Sequence, residues 1–219
     1  VYVGFVALGV LTWNLKHGRA VPSAGRDLFE EFCAALARWD WEVALLQEVP
    51  PWWPQRLAAR LGAEQRMVLT SRNFALVLRR WVAERWPDVI KSNGGGCNAI
   101  LVRNTTITAH RTRRLRLWPE RRWLHAVLAD GVWIANLHCQ GTMQEALRAR
   151  RTVLDWAAGD SVVLGGDFNL RQVRLEGFAW AGGSGVDHVL VHGLAPGTEV
   201  WVPARGHLSD HAPVLVRVG

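Results

Sequence analysis

The sequence is short of several things, and each shortage excludes something. It has 3 cysteines, Cys33, Cys97 and Cys139, an odd number with no CxxC spacing. That argues against a disulfide framework and against a cysteine-based zinc site. No apolar run reaches the length of a bilayer span. The longest, from Val1 to Trp13, is broken by Gly4, Gly9 and Thr12 and lacks the basic region of a signal peptide. The expected location is therefore cytoplasmic, with no membrane span and no obligate protein partner. Lysine is nearly absent: all but two of the 26 basic residues, Lys16 and Lys91, are arginine. Tyr2 is the single tyrosine.

What is present is an ordinary globular composition with a basic excess. Hydrophobic residues make up 49% and charged residues 21% of 219 positions, enough for one domain that buries a core without a staple. The net charge of +7 points to anionic partners such as nucleic acid or phosphorylated ligands. A GC-rich genome yields the same arginine-heavy composition without any such partner. There are 13 tryptophans, most expected in the core and at its rim.

The periodicity predicts a mixed α/β domain spanning residues 1–219. Strands are expected at 3–13, 43–47, 74–78, 99–102, 123–128, 132–137, 162–164, 186–191, 199–202 and 213–218. Helices are expected at 26–39, 53–61 and 142–156, the last capped by Thr142. Asp130-Gly131 reads as a hairpin turn. The glycine-rich stretches 92–96 and 181–185 read as loops. Many strands with a few helices imply two packed sheets with helices outside.

The polar residues cluster where strands end or begin. Asn14 follows the first strand (LTWNLKHG), Glu48 the second (LLQEV), and His138 the hairpin (IANLHCQ). Asp167 and Asn169 follow VVLGG in GGDFN. Asp187 and His188 open VDHVLV, and Asp210-His211 precede the last strand in LSDHAPV. Singly, each has an ordinary explanation as turn chemistry or a satisfied half-buried residue. Jointly, five strand ends carry the acids and histidines of hydrolytic chemistry, at the place where sheet enzymes meet ligands.

From Thr12 to Val216 this order and spacing resembles the endonuclease/exonuclease/phosphatase superfamily, which includes deoxyribonucleases, abasic-site endonucleases, sphingomyelinases and inositol-phosphate phosphatases. The resemblance implies a four-layer α/β sandwich, two central mixed sheets flanked by helices. It implies Mg²⁺ or Mn²⁺ held by Glu48 with Asn14, supported by Asp210, as suits hard oxygen donors. His211 matches the catalytic histidine and Asp187 the carboxylate that orients it. Asp167 matches the group that orients or deprotonates the attacking water, Asn169 a phosphate donor, and His138 a second histidine at the phosphate. Asn98, in CNAILVR, and Arg122 match positions that face the phosphate; a loop role for Asn98 and a solvated strand end for Arg122 stay open. His188 is expected to pack.

Departures matter too. The tyrosine used by several branches has no counterpart near the site. Lys16 stands where the abasic endonucleases place an acid, which counts against abasic-site repair. Residues 103–122 hold seven arginines and one acid, Glu120. Of these, Arg111, Arg113, Arg114 and Arg116, with Trp118, read either as a nucleic-acid groove or as a charged edge that prevents sheet-to-sheet association. The expected activity is metal-dependent hydrolysis of DNA. The alternatives are a phosphatase or phosphodiesterase for a small or lipid phosphate, and an inactive nucleic-acid-binding module.

Overall fold

A computed structural model describes residues 7–70, 73–86 and 96–219. Tyr2 and residues 92–95 of the first glycine-rich stretch lie outside them. Two six-stranded sheets face each other. The first is ordered β11 (Pro196–Trp201), β12 (Val214–Val218), β1 (Leu8–Asn14), β2 (Val43–Val49), β4 (Cys97–Arg103), β3 (Ala63–Leu69). The second is ordered β5 (Ala109–Arg116), β6 (Arg122–Ala129), β7 (Val132–His138), β8 (Ser161–Asp167), β10 (Asp187–His192), β9 (Ala179–Ser184).

Each sheet has one parallel pair at its centre, β1–β2 and β7–β8, and antiparallel neighbours around it. This arrangement builds the site. Parallel strands deliver their last residues to one end, so Asn14 lies level with Gln47 and His138 level with Asp167. Antiparallel neighbours deliver their first residues to that same end: Asp187 opens β10 opposite Asp167, Asn98 opens β4, and Asp210-His211 lead into β12.

Three apolar layers hold the sandwich. Val10, Val43, Leu45, Ile100, Val127, Ile134, Val163, Val189 and Val216 fill the space between the sheets, where β-branched side chains suit a pleated surface. Helices α1 (Phe29–Arg38) and α2 (Pro54–Leu61) cover the outer face of the first sheet through Phe29, Phe32, Leu36 and Leu57. Helix α4 (Met143–Ala157) covers the second through Ala146, Ala149 and Val153. The tryptophan-rich layer lies under α1, where Trp13 packs on Phe32 and Trp39.

Several expectations need correction. Residues 74–78 are not a strand: helix α3 (Leu76–Arg85) begins inside them. A five-residue apolar run fits either state, and here no neighbouring strand offers it a ladder. Three strands, β3, β5 and β9, fall outside the expected set, β5 because arginines replace the apolar alternation. β3 is half-buried on both faces and shows no alternation, and β9 carries Gly182 and Gly183 inside the stretch expected as a loop. Thr142 does occupy the N-cap of α4, but its hydroxyl makes no capping bond. The Glu145 carboxylate instead accepts the backbone N–H of Gln140 at 2.6 Å. Asp130 and Gly131 both adopt positive φ, 47° and 74°, the hairpin geometry their identities imply.

Candidate active site

The loops at the catalytic end are held in an uncommon backbone state. Lys16, His17, Glu48, Asn169 and Ser209 all have left-handed φ, between 46° and 60°. Each such non-glycine residue costs energy that its surroundings must offset, and here local hydrogen bonds do so. The Lys16 N–H donates to Asn14 Oδ1 at 3.0 Å. The Asn169 N–H donates to Asp167 Oδ1 at 2.9 Å, and its side-chain amide to the Cys139 carbonyl at 2.9 Å. Ser209 Oγ donates to the Asn14 carbonyl at 2.6 Å and accepts the His211 N–H at 3.1 Å.

These turns gather the predicted acids and histidines. His211 Nδ1 lies 2.7 Å from Asp187 Oδ2, and its Nε2 lies 3.9 Å from Asp167 Oδ2. The same Asp167 oxygen accepts the Asn14 amide at 2.9 Å and stands 3.5 Å from His138 Nε2. Burial pulls the His211 pKa down, but the hydrogen bond and charge of Asp187, with the charges of Asp167 and Asp210, outweigh it and lift the group to about 9. Burial raises Asp187 to about 6, against the pull of His211. At neutral pH the two therefore form an ion pair. Asp167 is also raised by burial, with His211 and the Asn14 amide opposing. His138 is driven far below the ordinary histidine value by burial first and then by the Arg122, His211 and His17 charges. It is neutral, so its approaches to Asp167 and Glu48 are polar contacts and not ion pairs. Asp167, Asp187 and His211 form a compact group of potential metal donors. However, Asp187 Oδ2 and His211 Nδ1 are occupied with each other, which marks an acid–base pair.

Glu48, expected to hold a metal, lies apart from this group. Glu48 presents Oε2 to His17 Nε2 at 3.1 Å and Oε1 to His138 Nε2 at 3.9 Å. A partly exposed carboxylate is the hard oxygen donor that suits Mg²⁺ or Mn²⁺. Asn98, fully buried, has neither amide atom hydrogen-bonded among the described residues, so a polar ligand is owed there. Asp210 pairs with the Lys16 ammonium; burial works against its ionisation, and Lys16 overcomes this to hold the carboxyl below its usual range.

Arg122 is buried beside His138, its guanidinium held by Glu120 at 2.8 Å and the Gln140 side-chain oxygen at 3.3 Å. The arginines of β5 do not form one continuous face. Arg111 lies over the Trp133 ring at 5.1 Å and Arg116 pairs with Glu145 at 3.3 Å, while Arg113 and Arg114 are exposed. His188 packs, bonded to the Leu170 carbonyl at 2.8 Å.

Sequence reasoning missed His17, Gln47, Asn136 and Ser209. Gln47 and Asn136 meet between the sheets at 2.8 Å, and the Asn136 amide also donates to the Leu46 and Ala99 carbonyls of the opposite sheet. Only His17 left a trace, in the tight KHG turn directly after Asn14: Gly18 has φ 73°, and a Cβ on it would meet the Trp53 ring at 2.4 Å. An apolar cavity of about 370 Å³ opens at the other ends of the strands, among Leu8, Val43, Val102, Val132 and Val218. It is remote from these groups and carries none of the chemistry.

Two facing mixed sheets flanked by helices, with an acid–histidine pair, a second histidine and a carboxylate at one end, define an α/β sandwich of the class whose members hydrolyse phosphoesters. Residues 11–211 match the model of the Endonuclease/Exonuclease/phosphatase family, and the chain belongs to that family. A search of curated proteins finds no match. Among solved structures, the chain is similar to the endonuclease/exonuclease/phosphatase from Bacteroides vulgatus, with TM-score 0.73, 15% identity, and 98% of this chain and 99% of that one covered. The family protein from Beutenbergia cavernae gives TM-score 0.70 at 17% identity, covering 97% of this chain and 71% of that one. A mannosyl-6-phosphatase from Bacteroides thetaiotaomicron gives 0.66 at 16% identity, covering 97% and 99%. At these identities the likeness is one of fold.

Proposed function

We propose that the chain is a divalent-metal-dependent nuclease that hydrolyses DNA phosphodiester bonds with water as nucleophile. The observation that supports a polymer over a small phosphate is the placement of Arg114. It stands exposed on the edge strand β5, in register with Trp123, one residue from the buried Arg122 that Arg116 opposes. Cations set outside a site neutralise phosphates that flank the one being cut.

In this reading Asp167 takes the proton from the attacking water. Its raised pKa makes it a better base than an ordinary aspartate, and Asn14 and the Asn169 N–H fix its orientation. His211 is protonated, so it cannot serve as the base. It offers Nε2–H to the phosphate and stabilises the charge that builds there. Asp187 keeps the imidazolium charged and aimed. Neutral His138, the remaining amide hydrogen of Asn169, the unpaired amide of Asn98 and the Arg122 guanidinium line the phosphate position. A cation at Glu48 and Asn14 supplies positive charge to a phosphate oxygen and makes bound water more acidic. Asp210 supports that region by holding Lys16.

The test is hydrolysis by the purified chain of plasmid DNA, RNA, a small phosphodiester and a panel of sugar and lipid monoesters, with Mg²⁺, with Mn²⁺ and with chelator. DNA cleavage that chelator abolishes is expected. Turnover of monoesters alone assigns the site to a phosphatase.

A further inference from the structure

Helix α3 turns its apolar stripe to water. Phe74, Val77, Leu78 and Trp81 recur at the spacing that a globular helix normally buries, yet all four are exposed, Val77 by 87%. No residue of this 10-residue helix is buried, and a helix shorter than ~12–15 residues is marginal in water without a packed face. Exposed Trp86 follows, edge-on to Trp81 with centroids 5.4 Å apart. A second exposed apolar pair, Leu117 with Trp118 at 80%, lies in the connection from β5 to β6.

Both features flank the catalytic mouth on one side. Helix α3 lies on the path from the last residues of β3 to the first of β4, and it lies against Pro51 and Trp52, just beyond Glu48. The β5–β6 connection leaves the same end, beside Arg122. β3 faces β6 across the sandwich, and β5 is the edge strand next to β6. The two exposed elements therefore emerge together.

Their chemistry alternates rings with guanidinium groups. Arg79 lies over Phe74 at 4.6 Å and Arg85 over Trp86 at 5.9 Å. Arg114, exposed, precedes Trp118 along the chain, while Arg80 beside Trp81 and Arg116 are paired with Glu84 and Glu145. Aromatic faces interleaved with cations suit unpaired nucleotides, because every base has a face to stack and every link a phosphate to neutralise. A duplex keeps its base faces stacked internally and offers such a surface phosphate alone. An interfacial membrane helix separates its basic and apolar faces; in α3 Arg85 falls within the apolar stripe of Val77, Leu78 and Trp81, and Leu76 lies on the other side.

We infer that the flank formed by α3 and Trp118 binds single-stranded nucleic acid and leads it to the site, so that single strands or strand ends are the preferred substrate. This rests on the nuclease reading and narrows its substrate. The test is fluorescence anisotropy of a labelled oligothymidylate and of its duplex in EDTA, so that binding is read without cleavage. The single strand should bind tighter, with log affinity falling against log salt by about 0.7 per phosphate contacted. Trp118→Ala and Trp81→Ala should each weaken single-strand binding about 10-fold and leave duplex binding unchanged, and Trp118→Phe should restore most of the loss. If circular dichroism shows that Trp81→Ala unwinds α3, Trp118→Ala, on a separate element, still decides. Equal affinity for strand and duplex, or unaltered binding by Trp118→Ala, overturns the inference and leaves the nuclease reading standing. Binding of neither form overturns the nuclease reading itself. Capture on phosphatidylglycerol vesicles, or a dimer in sedimentation, that Trp118→Ala abolishes and no oligonucleotide binding accompanies gives the flank to a bilayer or a second copy and overturns the inference.

Discussion

His211 has two ring nitrogens with different duties. Nδ1 is tied to Asp187, and Nε2 faces Asp167, where the proposed function places the phosphate. Because folding lifts this histidine to about 9, the reaction should need it protonated and should fail as pH rises through that value. The kcat/KM profile is expected to carry a basic limb near pH 9 that disappears in His211→Ala, and Asp187→Asn should move that limb toward lower pH. Because Asp187 acts through the histidine, combining both substitutions should cost little more than His211→Ala alone. Multiplying losses would show that the pair does not act as a unit. Folding stability follows the same sign for the histidine: its contribution is complete below the unfolded pKa of about 6.5 and is lost as pH climbs through about 9, whereas Asp187, raised by burial to about 6, costs stability as it ionises. The family resemblance assigned Asp187 as the acid that orients His211, and the two lie in hydrogen-bond contact; residue spacing without that resemblance does not say which acid the imidazole meets. Asp167, Asp187 and Asp210 all lie close enough to influence His211, and only the hydrogen-bonded contact distinguishes Asp187.

Strand β8 shows how an element aims its last residue. Gly166 sits at φ 137°, and a Cβ there would lie 2.0 Å from the Leu137 carbonyl oxygen, the backbone of the adjacent strand. The backbone of neither strand can yield without moving His138 or Asp167. At Gly165 the added carbon would meet a Leu45 methyl at 2.6 Å, the end of a side chain that can rotate away. Gly166→Ala should therefore destabilise by about 3 kcal/mol or more, strain plus clash, and lower turnover sharply, while Gly165→Ala should be milder on both counts. Urea unfolding of the two variants side by side checks this, and equal stability would refute the account. Elements with a strong apolar signal were legible from sequence: the strands expected at 43–47 and 132–137 are apolar runs buried on both faces, and the helices α1 and α4 carry apolar residues at helical spacing. Elements without that signal were not. β3 is an edge strand with neither face fully buried, β9 is partly glycine, and α3 presents apolar residues on more than one side.

At the scale of the molecule, the site exists because two sheets are held at a fixed separation beneath it. Gln47 and Asn136 span that gap with hydrogen bonds to each other and to backbone carbonyls of the facing sheet. Buried polar groups stripped of partners cost about 1–3 kcal/mol each. Asn136→Leu should therefore lower the urea-unfolding free energy by roughly 3 kcal/mol and reduce activity by loosening the floor under His138 and Glu48, though no atom of Asn136 touches the chemistry. Unchanged stability would mean that the bridge is decorative. The sequence by itself determined that apolar runs form strands with acids, amides and histidines at their ends, and its resemblance to the family implied phosphoester chemistry; that these ends meet depends on the parallel and antiparallel pairing of the sheets. Tertiary structure alone decided the charge states. His138 is neutral and His211 cationic because burial and through-space charge differ at the two positions. Lys16 faces Asp210, His17 faces Glu48, and Ser209 ties to Asn14 across 195 residues of chain. Those quantities depend on distances between remote segments, which a linear pattern of residues does not contain.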